Sequence, residues 1–154
     1  MFDDLTALYQ EIILDHGKNP RNKRPVEGST HQAYGNNPMC GDKLALYLRM
    51  NGQGVVEDIG FQGEGCAISE ASASLLTEVL LGKTEAQAME LFGAFHRLTT
   101  GEAVGDLAPE LQDDFDRLSV LGGVRAFPMR VKCATLAWHT LDSALHRKDE
   151  ATTE

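Results

Sequence analysis

The feature that most restricts how this chain can fold is a change of period at Cys66. From Lys43 to Met50 the residues alternate, with Leu44, Leu46, Leu48 and Met50 on one side and Lys43, Ala45, Tyr47 and Arg49 on the other. Side chains of a strand point to opposite faces in turn, so this is a strand with one face buried. Asn51-Gly52-Gln53-Gly54 supplies a turn, and 55–62 reads as the returning strand, with Val55, Ile59 and Phe61 on one side. After Gly63-Glu64-Gly65-Cys66 the spacing becomes helical: Ile68, Ala71, Leu75, Leu76, Val79 and Leu80 form one face, and Gly82 follows the last turn as its cap.

The flanking segments extend this pattern. Leu5, Leu8, Tyr9, Ile12 and Ile13 make the stripe of a first helix ending near Gly17 and Asn19-Pro20, and a third strand is expected over 31–35. Thr84-Glu85-Ala86-Gln87 has the form of a capping box, opening a helix through Leu98 with Met89, Phe92 and Phe95 toward the core. Pro109 opens a short helix carrying Leu111, Phe115 and Leu118, after which Gly122-Gly123 is expected to break the chain. From Pro128 onward, Val131, Ala134, Trp138, Leu141 and Leu145 form a last helix. Helix, antiparallel strands, then helices predict a two-layer α+β fold, with a small antiparallel three-stranded sheet and helices packed on one face. One domain is expected over 1–147, with a charged, disordered tail over 148–154.

Composition narrows the function. At 154 residues and 42% hydrophobic, the chain can bury one core without disulfides. No run approaches the roughly 18 to 20 apolar residues of a membrane helix, and Met1-Phe2-Asp3-Asp4 lacks the pattern of a signal peptide, so a cytoplasmic protein is expected. A formal net charge of -9 disfavours nucleic acid and anionic membrane as partners. Three cysteines cannot all pair with one another, which leaves metal binding or thiol chemistry to be tested.

Cys40, Cys66 and Cys133 each fall at a transition between predicted elements. A helix start favours thiolate over thiol, an opportunity open to Cys66 and Cys133. Asp42 follows Cys40 across Gly41, so that sulfur and carboxylate can point to one side. A Cys3Asp set is complete for tetrahedral zinc. There is no Cys-x-x-Cys pair, however, and three scattered cysteines fit equally well as small buried apolar residues.

Three segments sharpen the choice: Asn36-Asn37-Pro38-Met39-Cys40-Gly41-Asp42, Gly63-Glu64-Gly65-Cys66-Ala67-Ile68-Ser69 and Arg130-Val131-Lys132-Cys133-Ala134. Together, and in this order, they resemble the signature segments of the IscU/SufU family of iron-sulfur cluster assembly proteins, whose fold is SufE/NifU-N-like. The likeness spans nearly the whole chain, including the first helix from Tyr9 to Pro20. IscU scaffolds have a histidine ligand before the third cysteine where this chain has Lys132, and a lysine ammonium is no substitute for imidazole. Their Leu-Pro-Pro-Val-Lys chaperone motif is unmatched at Phe127-Pro128-Met129-Arg130-Val131-Lys132. The segment 84–122 resembles the helical insertion of SufU-like proteins, so the chain is most similar to that branch.

The resemblance implies a zinc-dependent sulfur carrier with Cys40, Asp42, Cys66 and Cys133 as metal ligands. Cys40 would accept persulfide sulfur from a PLP-dependent, SufS-like cysteine desulfurase and pass it to a downstream assembly scaffold. Zinc would keep Cys40 shielded until a ligand from the partner displaces it. Arg130 is implied as a docking residue for the desulfurase. Such a carrier speeds another enzyme's turnover, which leaves open whether it is itself an enzyme. The alternative is a scaffold on which a [2Fe-2S] cluster is assembled and passed on. No histidine falls in a matched metal motif; His16, His31, His139 and His146 are expected at the surface or as caps, with His96 in the insertion the one to check.

Overall fold

The computed structural model describes residues 2–147 and 150–152, with side chains over 10–147. Helix α1 (Phe2–Lys18) leads into β1 (His31–Asn37), β2 (Asp42–Met50) and β3 (Val56–Glu64), followed by α2 (Ala67–Leu80) and α3 (Glu85–Thr100). A single 3-10 turn (Pro109–Leu111) runs into α4 (Gln112–Leu118). A second 3-10 segment (Ser119–Ala126) precedes α5 (Pro128–Leu145), and β4 (Glu150–Thr152) closes the series.

The sheet order is β3-β2-β1-β4. Strands β1, β2 and β3 pair antiparallel, as the alternating pattern requires, and the alternation in β2 buries Leu44, Leu46 and Leu48. The three-stranded antiparallel core is therefore as expected, but a fourth strand is added. Residues 150–152 lie in the segment expected to be disordered; instead they run parallel to Tyr34–Asn36 along the free edge of β1. Backbone pairing with an open edge needs no apolar side chains, so composition did not reveal it. The rest of that predicted tail, at 148, 149, 153 and 154, lies outside the described residues, as do the side chains of Leu5, Leu8 and Tyr9 from the predicted first stripe.

Helices cover one face. Leu46, Leu48, Ile59 and Phe61 meet Leu75 and Leu76 of α2 and Leu136, Trp138 and Leu141 of α5 in one core. Contact between α5 and β1 is so close that a Cβ on Gly35 would lie 2.1 Å from Thr140 Oγ1. The segment 84–122 is fixed through Phe95, stacked on Trp138 with ring centroids 5.2 Å apart, and Phe92 at 6.3 Å. Its first helix begins with the expected capping box: Thr84 Oγ1 accepts from the Gln87 N–H, and the Gln87 side chain accepts from the Thr84 N–H. Gly122-Gly123 does not break the chain. Gly122 is buried inside the second 3-10 segment, against Leu98, because packing there rewards the missing side chain more than flexibility.

Candidate metal centre

The hairpin β1–β2 builds one side of the site. Asn37 and Asp42 are its last cross-strand pair, and Pro38, Met39, Cys40 and Gly41 form the tip. The Cys40 N–H donates to the Asn37 carbonyl (3.3 Å), and Gly41 takes φ +71°, a value that suits glycine. This turn holds Cys40 half-buried while Asn37 and Asp42, on the inward face with Ala33, Gly35 and Leu44, are fully buried.

The other side comes from two helices. Cys66 is the N-cap of α2, and its backbone N–H donates to Asp42 Oδ1 at 2.9 Å. Cys133 lies in the second turn of α5, fully buried, so the first-turn dipole advantage expected for it does not apply. Burial instead pushes its thiol well above the ordinary range, helped by hydrogen bonding with Cys40, Cys66 and Asp42. Cys133 Sγ stands 3.3 Å from Cys40 Sγ. The ligand atoms of Cys40, Asp42 and Cys133 all lie within 4.8 Å of one another. Cys66 contacts Cys133 but stands outside that set, at the wall of an apolar cavity of about 870 Å³ lined also by Ile13, Ile68, Leu121 and Phe127.

Two residues complete the surroundings. Arg130 is exposed in the first turn of α5, and the neighbouring Cys66 and Cys133 sulfurs raise the pKa of its guanidinium. It is thus nearer the sulfurs than its position in the sequence indicates. Asn37 has no separate role in the sequence pattern; its Nδ2 donates to Asp42 Oδ2 (3.1 Å) and to Cys133 Sγ (3.6 Å). The alternation of β1 was the available signal, since 33, 35 and 37 share a face.

No histidine joins this group among the described residues. His96, on α3, packs with Phe92 of the same helix and with His139 of α5 (ring centroids 6.2 and 6.0 Å). His146 caps α5 through the Asp142 carbonyl. His16 is not at the surface as expected: it is buried, with Nδ1 2.7 Å from Ser74 Oγ, because α1 packs against α2 there. His31 bonds the neighbouring Thr30 hydroxyl.

These residues suit a cation. Asp42 is a fully buried carboxylate with no Lys, Arg or His in ion-pair contact among the described residues, and buried charges ordinarily have a counter-charge or a metal. Asn37 turns its donor end to the ligands and leaves Oδ1 buried without a partner. An orphaned acceptor costs about 1–3 kcal/mol, while a hydrogen bond to an ionised acceptor contributes about 1.5–3 kcal/mol, so the orientation is favoured when its acceptors are anions. Sulfur and oxygen donors together match zinc, and a cation inverts the burial penalty on a thiolate.

The profile of the NifU-like N terminal domain matches residues 8–150. A zinc-dependent sulfurtransferase SufU from Bacillus subtilis is 38% identical over 146 residues, covering 95% of each chain. An iron-sulfur cluster assembly scaffold protein IscU from Streptococcus pyogenes is 35% identical, over 96% of this chain and 88% of the relative. A solved structure of a candidate iron-sulfur cluster assembly scaffold protein for the SUF system, from Fervidobacterium islandicum AW-1, superposes with TM-score 0.77 at 32% identity, covering 90% of this chain and 97% of the other. With a site built from the three signature segments and this likeness along its length, the chain belongs to the NifU-like N terminal domain family, together with SufU and IscU proteins.

Proposed function

We propose that this chain is a zinc-dependent sulfur-transfer protein of iron-sulfur cluster assembly, which accepts persulfide sulfur on Cys40 from a PLP-dependent cysteine desulfurase and stimulates that enzyme. The observation that carries this reading is a division of labour among thiols 3.3 Å apart: Cys40 lies on a hairpin tip and Cys133 is sealed in the core. The SufU relative, aligned over nearly its whole length, supports the choice of zinc. Cys40, Asp42 and Cys133 would hold the ion, with Cys66 as the fourth donor. When bound, zinc keeps cysteine ligands as thiolates at neutral pH.

The chain's own residues do the rest. Asp42, hydrogen-bonded at both carboxylate oxygens, is fixed, and Cys133 is out of a partner's reach. Cys40 and Cys66 are both half-buried, but Cys66 opens a helix whereas Cys40 lies in the hairpin turn, so Cys40 is taken as the attacking sulfur. Its thiolate attacks the outer sulfur of the enzyme's persulfide; a new S–S bond forms on Cys40, the enzyme's S–S bond breaks, and the enzyme's cysteine leaves as thiolate. Arg130, exposed beside Cys66 and Cys133, offers a docking charge to the desulfurase.

The test is Cys40→Ala with a cysteine desulfurase and sulfur-labelled cysteine. Loss of both stimulation and label on the carrier is expected; a variant that stimulates and labels normally defeats the proposal. The relative named as an IscU scaffold favours a second reading, a [2Fe-2S] scaffold using the same donors. Stoichiometric zinc in colourless purified protein favours the carrier, and visible absorbance after anaerobic reconstitution favours the scaffold.

A further inference from the structure

We infer that Asn37 is a positioning residue of the metal centre, its side-chain amide fixing the spacing between Asp42 and Cys133, two ligands that come from different elements. The inference rests on the metal-binding reading above and adds to it a residue that is not itself a ligand. Asp42 enters from the start of β2 and Cys133 from α5, 91 positions further on, and Asn37 Nδ2 bridges Oδ2 of the first and Sγ of the second at 3.1 and 3.6 Å. With the Cys66 N–H on Asp42 Oδ1, the carboxylate is held at both ends.

Two further observations separate this role from ordinary packing. Asn37 is fully buried at an inward strand position, beside Ala33 and Gly35, where an apolar side chain would satisfy the fold and asparagine is disfavoured. Its Oδ1 has no hydrogen-bond partner, so a purely structural role would leave half the amide unused. An amide in that place makes sense only through what its donor end touches. Asn37 is also the cross-strand partner of Asp42 at the base of the tip that carries Cys40, so the amide anchors the frame from which the third donor projects.

The experiment compares Asn37→Leu and Asn37→Asp with the parent chain. The leucine variant removes the amide at nearly constant shape; the aspartate variant keeps the shape, removes the donor and adds a carboxylate. Zinc affinity is measured by chelator competition, cobalt spectra report the ligand field, and thermal unfolding of metal-free protein reports the fold. Residues that orient ligands typically change metal affinity by about 10–100-fold. Asn37→Leu should weaken zinc on that scale with a changed cobalt spectrum, and by more than metal-free stability falls, because the lost bond to Asp42 Oδ2 is offset in part by removal of the orphaned oxygen. Asn37→Asp should also weaken zinc, despite the added oxygen. Affinity within about twofold of the parent in both variants, or a loss that merely tracks lost metal-free stability, overturns the role of Asn37. A parent chain that binds no zinc overturns the metal reading itself and this inference with it.

Discussion

Gly65→Ala should disturb the centre without replacing a ligand. Gly65 has no left-handed backbone to protect, so the only question is space. An added Cβ would lie 2.6 Å from Ser69 Oγ, 3.2 Å from Ser69 Cβ and 2.8 Å from Asp42 Oδ1, where ordinary contact begins near 3.4 Å. Ser69 can answer by changing rotamer. Asp42 cannot, because Cys66 N–H and Asn37 Nδ2 hold its two oxygens. Relieving the carboxylate contact takes a shift of about 0.6 Å, and core overpacking typically costs about 1–3 kcal/mol. Weakening the charged bond from Cys66 adds a share of its roughly 1.5–3 kcal/mol. A net loss near 2 kcal/mol corresponds to a fall in Tm of about 4–8 °C for a chain of this size. Zinc affinity should fall with it. The assay is thermal unfolding together with chelator competition, run on Gly65→Ala and on Gly65→Ala/Ser69→Ala. Removing the serine hydroxyl should restore part of the stability and little of the metal affinity, because the contact with Asp42 remains. Parental Tm and affinity in the single variant would refute the reasoning, and full rescue of metal binding by Ser69→Ala would show that Asp42 was never displaced.

Two more outcomes follow from particular side chains. Arg130→Ala should weaken desulfurase stimulation on the order of tenfold, as loss of a docking charge does, while zinc content stays stoichiometric; metal loss would make the arginine structural instead. Burial, followed by the Arg21 charge, lowers the pKa of His16 below 6.5, so the folded chain keeps it neutral and the unfolded chain protonates first. Its contribution is therefore complete above pH 6.5 and is lost as pH falls below it, by at most about 1.4 kcal/mol per pH unit. Urea denaturation at pH 7.5 and pH 5.5 should show a smaller pH effect in His16→Gln than in the parent; equal slopes would rule His16 out as the source.

What the residues disclosed in advance was local. The alternation from Lys43 to Met50, the capping box at Thr84 and the proline opening α5 each report on neighbours within a few positions, and each is found in place. What escaped was set by distant partners. Nothing near His16 announces Ser74, 58 positions later, and nothing near Gly122 announces Leu98. The tail's charge spoke against order, yet its backbone found the edge of β1. At the site the cysteines and Asp42 stood out by residue type, whereas Asn37 draws its meaning from a sulfur 96 positions away. Cys133 lies in the opening turns of the last helix as expected, but its burial, which pushes the thiol up, is set by packing from distant elements.

The turn joining β1 to β2 also limits how far sulfur can be carried. Cys40 is two residues from Asp42, whose carboxylate is tethered to the body of the fold. Fully stretched, that leash allows about 7 Å between the two Cα atoms. The thiol therefore cannot swing out to meet a distant donor. Any protein that exchanges sulfur with it has to bring its own reactive group to the end of the sheet.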